Sequence, residues 1–299
     1  MPVIATTALT KRYPRVTALD GLTVEVGSGV TGLVGANGAG KSTLLKILLG
    51  LIAPTAVSAI VLGHDVVTGG EAVRALVGYM PEHDCLPPDV SATEFVVHLG
   101  QMSGLPATAA RERAADVLRH VGLDEARYRP MGGYSTGMKQ RVKLAQALTH
   151  DPKLVLLDEP TNGLDPAGRD EMLALVRRIG TEFGIPVLIT SHLLGELEHV
   201  CDHIVVLDGG RLLRSESKAA LTGETGVLAV EVRDLSGRDR LGAALARAGA
   251  RARPDGPLVL VEITGEETYD VVRDTVAELG LGLVRIEQHR HRLEEVFSV

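Results

Sequence analysis

The stretch Gly35-Ala36-Asn37-Gly38-Ala39-Gly40-Lys41-Ser42 constrains this chain more than any other. It has a glycine, four intervening residues, then Gly-Lys-Ser. The apolar run Val30–Val34 before it reads as a strand, and Ser42–Leu49 after it reads as the start of a buried helix. A strand leading in and a helix leading out are what a phosphate-cradling loop requires. Glycines let successive backbone N–H groups turn inward around a polyphosphate. The helix N-terminus presents its positive end to the same anion. Gly35, Asn37, Gly38, Ala39, Gly40, Lys41, Ser42 and Thr43 are therefore the expected phosphate-binding set. Lys41 supplies charge for the β- and γ-phosphates, and the Ser42 hydroxyl can ligate Mg²⁺.

The 299 residues are more than one typical domain holds and suit two. A net charge of −7 gives no support to nucleic-acid binding, and 3% aromatics with no tryptophan make a base-stacking surface improbable. The two cysteines, Cys85 and Cys201, form no Cys-x-x-Cys pattern, which fits a reducing cytosol better than a disulfide framework or zinc site. The first 15 residues lack the basic start and apolar core of a signal peptide. No segment reaches the roughly 18 apolar residues of a membrane span.

Short apolar runs recur at Val30–Val34, Leu154–Leu157, Val187–Thr190 and Ile204–Leu207. Each is nearly continuous, as strands covered on both faces of a parallel sheet are. Helical patterns at Arg111–Val121, Lys139–Thr149 and Arg169–Phe183 lie between them, so a three-layer α/β core is expected. Val3–Leu9 and Leu22–Val26 read as antiparallel strands joined by a Lys11–Asp20 loop. A polar stretch at Ser215–Thr225 marks a boundary between domains 1–220 and 226–299. Beyond it, the order strand, helix, strand, strand, helix, strand predicts a small α+β unit of ferredoxin-like type.

The strand Leu154–Leu157 ends in Asp158 and Glu159. Ligands bind at the carboxyl ends of strands in an open parallel sheet. Adjacent acids point in different directions, so Asp158 can serve Mg²⁺ while Glu159 accepts a proton from the attacking water.

The run Asp158-Glu159-Pro160-Thr161-Asn162-Gly163-Leu164-Asp165-Pro166 resembles the Walker B and D-loop segment of ATP-binding cassette (ABC) ATPases. Tyr134-Ser135-Thr136-Gly137-Met138-Lys139-Gln140-Arg141 resembles their signature motif, and His192 in Thr190-Ser191-His192 resembles the switch histidine. Together these span residues 3 to 215, in the family's order. The resemblance implies a P-loop NTPase core of ABC type, with an antiparallel β-subdomain and a helical subdomain. It implies ATP and Mg²⁺ as cofactors, Glu159 and His192 as catalytic, and Ser42, Asp158 and Glu82 at the metal. Tyr13 takes the place of the aromatic ring under adenine. Ser135 and Gly137 would meet the γ-phosphate of ATP held by a second subunit, and Asp165 would contact that subunit.

The sequence departs from the family at two positions. Thr136 stands where glycine is usual. Glu82, in Gly78-Tyr79-Met80-Pro81-Glu82, stands where the Q-loop glutamine is usual and brings an extra negative charge. The residues from His83 to Phe95 are expected near the surface that receives a membrane partner.

Two histidine clusters read as surface rather than metal sites: His199 with Cys201 and His203, and His289 with His291. The expected function is the cytosolic motor subunit of an ABC transporter. It would sit peripherally on the inner face of the cell membrane and work as a dimer with a separate integral membrane permease. The Tyr-Ser-Thr-Gly-Met form, Glu82 and the closing Leu293–Phe297 run resemble a bacterial subfamily that exports drugs, antibiotics, lipids or polysaccharides. The alternative is a soluble ABC ATPase acting on a ribosome or DNA.

Overall fold

The structure, a computed structural model, describes residues 2–197, 200–217, 224–265 and 267–290. His199, His291 and the Leu293–Phe297 run lie outside them. The chain divides into two compact units, Met1–Lys218 and Ala219–Val299.

The first unit is built on a six-stranded sheet. Its strands are β3 (Val30–Val34), β6 (Val77–Met80), β7 (Leu154–Leu157), β8 (Val187–Ser191), β9 (His203–Asp208) and β10 (Arg211–Ser217). Their spatial order is β10-β9-β3-β8-β7-β6, parallel throughout except for β10. Every residue of β3, β7 and β8 is buried, because helices cover both faces. Burying each such Val, Leu or Ile side chain contributes about 1.5–3 kcal/mol. The helices of this unit include α1 (Lys41–Leu48), α2 (Gly70–Leu76) and α6 (Pro166–Thr181), with α7 (Leu194–Leu197) a single turn.

This order positions the chemistry. β8 lies between β3 and β7, with Val34 beside Ser191 and Leu157 beside Ile189. The loop after β3, the acids after β7 and the histidine after β8 therefore leave the sheet at one edge. β6 pairs with β7 so that Met80 lies beside Leu157, which brings Glu82 to the same edge.

A second, four-stranded sheet has the order β2-β1-β4-β5. β1 is Ile4–Tyr13, β2 Val16–Val26, β4 Ala59–Val61 and β5 His64–Asp65. The expected Lys11–Asp20 loop is a correction. Lys11 pairs with Leu19, Arg12 with Thr17 and Tyr13 with Val16, leaving only Pro14 and Arg15 as the turn. The β-branched Val16 and Thr17 favour extended backbone, and Arg12, Val16 and Thr17 are strand residues whose side chains are exposed. The result is a long hairpin with Tyr13 at its tip.

A helical excursion separates β6 from β7. It contains α3 (Ala92–Met102), α4 (Ala107–His120) and α5 (Thr136–Leu148). α3 starts with a capping box, Ser91 accepting from the Glu94 backbone while Glu94 Oε2 accepts from the Ser91 backbone N–H.

The second unit runs β11 (Glu224–Val232), α8 (Leu235–Arg247), β12 (Ala252–Asp255), β13 (Leu258–Glu262), α9 (Glu267–Glu278) and β14 (Leu283–Arg290). Its antiparallel sheet has the order β12-β13-β11-β14. Leu228, Val230, Val259 and Val261 alternate onto the face that packs on Leu241, Leu245, Val272 and Val276. The strands thus bury one face under two helices, as a period of two requires.

Candidate nucleotide site

The loop after β3 borders a cleft of about 520 Å³. Residues 36–43 line it, together with Tyr13, Val16 and Ala18 from the hairpin, and Glu82 and Glu159. The hairpin presses close: Gly40 has φ of 102°, and a side chain there would collide with the Ala18 carbonyl. Glycine is needed on both counts. Tyr13 is 41% exposed and brings its ring to the cleft beside the Lys11 ammonium.

At the cleft, Lys41 and Glu159 meet, and the His192 ring reaches the same carboxylate. Lys41 Nζ lies 3.3 Å from Glu159 Oε1 and donates to the Gly35 carbonyl at 2.6 Å. His192 Nδ1 lies 2.9 Å from Glu159 Oε2. With the carboxylate as acceptor, the proton sits on Nδ1 and Nε2 is left for another partner. Lys41 and Glu159 are 6% and 7% exposed at the side chain, His192 44%. Glu159 adopts φ of 49°, a left-handed conformation uncommon for a non-glycine residue. Such backbone persists where the surroundings over-determine it. Here the Glu159 N–H donates to Thr190 Oγ1 at 2.9 Å.

The same Thr190 hydroxyl donates to Asp158 Oδ1 at 2.9 Å. Burial pushes the Asp158 carboxyl above the ordinary carboxylate range, and hydrogen bonds from Thr190 and Ser42 oppose that shift. Tyr79 is pushed up to about 12 by its own burial and by the negative charge of Asp158 and Glu82. Ser42 and Glu82 line the cleft, and Asp158, hydrogen-bonded to Ser42 and within reach of the Glu82 charge, lies behind them, so the three supply hard oxygen donors of the type suited to Mg²⁺.

Ser135 caps α5, accepting from the Met138 N–H at 3.3 Å. Gly137 follows with open space around it; an added Cβ would meet only Leu164 Cδ2, at 3.8 Å. Asp165 caps α6 by accepting from the Gly168 N–H at 3.0 Å. Ser135, Thr136 and Asp165 are exposed, and neither Ser135, Gly137 nor Asp165 lines the cleft. The fold brings the phosphate loop, both acids, Glu82, His192 and Tyr13 together and leaves the signature residues apart from them.

Sequence patterns did not single out several residues here. Thr190 sits inside the Thr190-Ser191-His192 run, and its position before the histidine was its only signal. Glu196 accepts from Thr161 Oγ1 at 2.8 Å and from Ser191 Oγ at 3.2 Å, bracing the segment that carries His192. Lys143 from α5 donates to the Pro81 and Glu82 carbonyls, each at 2.8 Å. Of the weighed histidine clusters, Cys201 is buried and His203 Nε2 pairs with Ser215 Oγ at 2.9 Å.

This geometry has relatives. A family model for the ABC transporter matches residues 19–162. Daunorubicin resistance ATP-binding protein DrrA3 of Streptomyces coeruleorubidus is 36% identical over 98% of this chain and 96% of its own. The chain belongs to the ABC transporter ATP-binding family. This ABC ATPase is also 35% identical to Nod factor export ATP-binding protein I of Ralstonia nicotianae, over 77% of this chain and 72% of that one. CbiO1 from Clostridium perfringens, part of the ABC transporter complex cbiONQ, superposes with a TM-score of 0.69 at 26% identity. That match covers 83% of this chain and 97% of that one. The ABC ATPase fold binds ATP, and the chain is the ATP-hydrolysing subunit type of such transporters.

Proposed function

We propose that this subunit powers export, with Glu159 as the base that activates water for attack on ATP. The observation that carries the reading is the Glu159 carboxylate, buried between Lys41 and His192 at the carboxyl edge of the sheet. The Tyr13 ring stacks on adenine. Gly35 to Thr43 and the Lys41 ammonium hold the phosphates. Ser42, Asp158 and Glu82 hold Mg²⁺, which when bound offsets the charge on the β- and γ-phosphates. A cation there restores the charged form that burial disfavours at Asp158. Glu159 then takes the proton from water while His192 Nε2 orients the γ-phosphate.

Two subunits complete the site. Ser135, exposed, and Gly137, half-buried, lie at the start of α5 and present a hydroxyl and helix N–H groups to ATP on the other subunit, and Asp165 meets that subunit. The second partner is an integral membrane permease, which places the chain at the cytoplasmic face of the membrane. Among the described residues no helix is long and apolar enough to cross it. The relatives' roles in daunorubicin resistance and Nod factor export favour outward transport. The described residues after 226 fit an accessory ferredoxin-like domain, a reading supported by the β-α-β-β-α-β order and the sheet order β12-β13-β11-β14.

The test is Glu159→Gln. It is expected to keep ATP binding, lower turnover by about 10²–10⁴-fold, and accumulate an ATP-bound dimer on size-exclusion chromatography. Ordinary turnover by this variant overturns the reading.

A further inference from the structure

The helix that begins with the signature residues also holds the Glu82 segment, and a buried lysine makes the connection. Lys143 lies two turns into α5, on its covered side, and is 3% exposed. Its ammonium donates to three successive carbonyls, of Pro81 and Glu82 at 2.8 Å and His83 at 3.5 Å. Three donors meet three acceptors from one bend of backbone, which satisfies the buried cation and dictates the path of that bend. One turn earlier, Lys139 pairs with Asp84 at 2.7 Å. Between them, Gln140 Nε2 donates to the Asn162 carbonyl at 3.0 Å, and Asn162 Nδ2 donates to Glu82 Oε1 at 3.3 Å.

We propose that Lys143 is a positioning residue for ATP hydrolysis. By clamping the carbonyls of residues 81–83 to the signature helix, it sets where the Glu82 carboxylate stands in the cleft. A movement of α5 on engaging a second subunit is thereby transmitted to Glu82 through three hydrogen bonds. Surface packing alone would need only an apolar residue here. A lysine buried to this extent and spent on loop carbonyls fits a device that holds a particular backbone path. The inference rests on the reading of Glu82 as a group at the Mg²⁺ end of the site.

The experiment is a double-mutant cycle on ATPase kinetics of the full chain, with Lys143→Met and Glu82→Ala singly and together. Lys143→Met, similar in volume but without donors, is expected to lower kcat about tenfold and raise the Mg²⁺ needed for half-maximal rate, with KM for ATP within about twofold. In the Glu82→Ala background the same substitution is expected to cost less than about twofold, because the two residues act as a unit. Lys143→Arg, which keeps charge and donors, is expected to restore most of the rate. Equal losses in both backgrounds, or no loss of kcat, overturn the proposal. If circular dichroism shows Lys143→Met unfolded, Lys143→Gln takes its place in the cycle with the same two outcomes. Normal turnover by Glu159→Gln would instead strike the functional reading, whatever the cycle returns.

Discussion

His192 Nδ1 lies 2.9 Å from Glu159 Oε2, so the partly exposed imidazole is oriented by a carboxylate that is itself buried. The contact holds one nitrogen and leaves the other open, the atom proposed above to meet the γ-phosphate. His192→Ala should therefore lower kcat by about 10²-fold and change ATP affinity by less than about twofold, since a group acting on the reacting phosphate appears in kcat rather than in binding. Steady-state ATPase assays and nucleotide titration separate the two.

Thr190 should prove as important as the acids it serves. Its hydroxyl is fully buried, donates to Asp158 and accepts from the Glu159 N–H. Thr190→Val keeps the shape and strands both partners. The expected cost is about 1–3 kcal/mol in urea unfolding, together with reduced turnover as the strained backbone at Glu159 relaxes.

Asp158 links stability to pH with a definite sign. Burial raises its carboxyl in the folded chain above the unfolded value. The penalty for keeping it charged is absent below the unfolded value and fully present once pH has risen through the folded one. Asp158→Asn retains acceptors for Thr190 and Ser42 without the charge. It should raise the melting temperature of the nucleotide-free protein near neutral pH. That gain should shrink as pH falls into the carboxylate range, while Mg²⁺-dependent turnover is lost. Thermal melts across pH give the profile.

Gly137→Asp tests the two-subunit site without disturbing the single subunit. An added Cβ meets nothing closer than 3.8 Å. An acid in the first turn of α5 gains about 0.3–1 kcal/mol from the helix dipole. The melting temperature should hold or rise, yet ATP-driven dimerisation should fail, because the new carboxylate faces the incoming γ-phosphate. Size-exclusion chromatography with and without ATP distinguishes these effects.

Legibility followed distance along the chain. The phosphate loop and the Asp158–Glu159 pair could be read because each depends on spacing within a few residues and on a strand end, and His192 only through its resemblance to the family's switch histidine. Thr190 and Lys143 could not. Their partners lie 32 and 61 residues away, and only the strand order brings them together. Lys143 also breaks the rule that a lysine marks a solvent face. Charge and a proline make Lys11–Asp20 read as a loop, whereas exposed strand residues such as Arg12 and Thr17 are ordinary near the tip of an antiparallel hairpin. Ser91 followed three residues later by Glu94 is the spacing of a capping box, and it opens α3.

The ion pair between Lys41 and Glu159 gives the phosphate-loop lysine a counter-ion from its own chain. A ligand with oxygens at the β or γ position competes with that carboxylate for the Lys41 ammonium. Adenosine and its monophosphate lack them, so they compete poorly whatever the adenine contact contributes. The phosphate loop thus carries its own carboxylate partner for Lys41, and a polyphosphate is the kind of ligand that can take that partner's place.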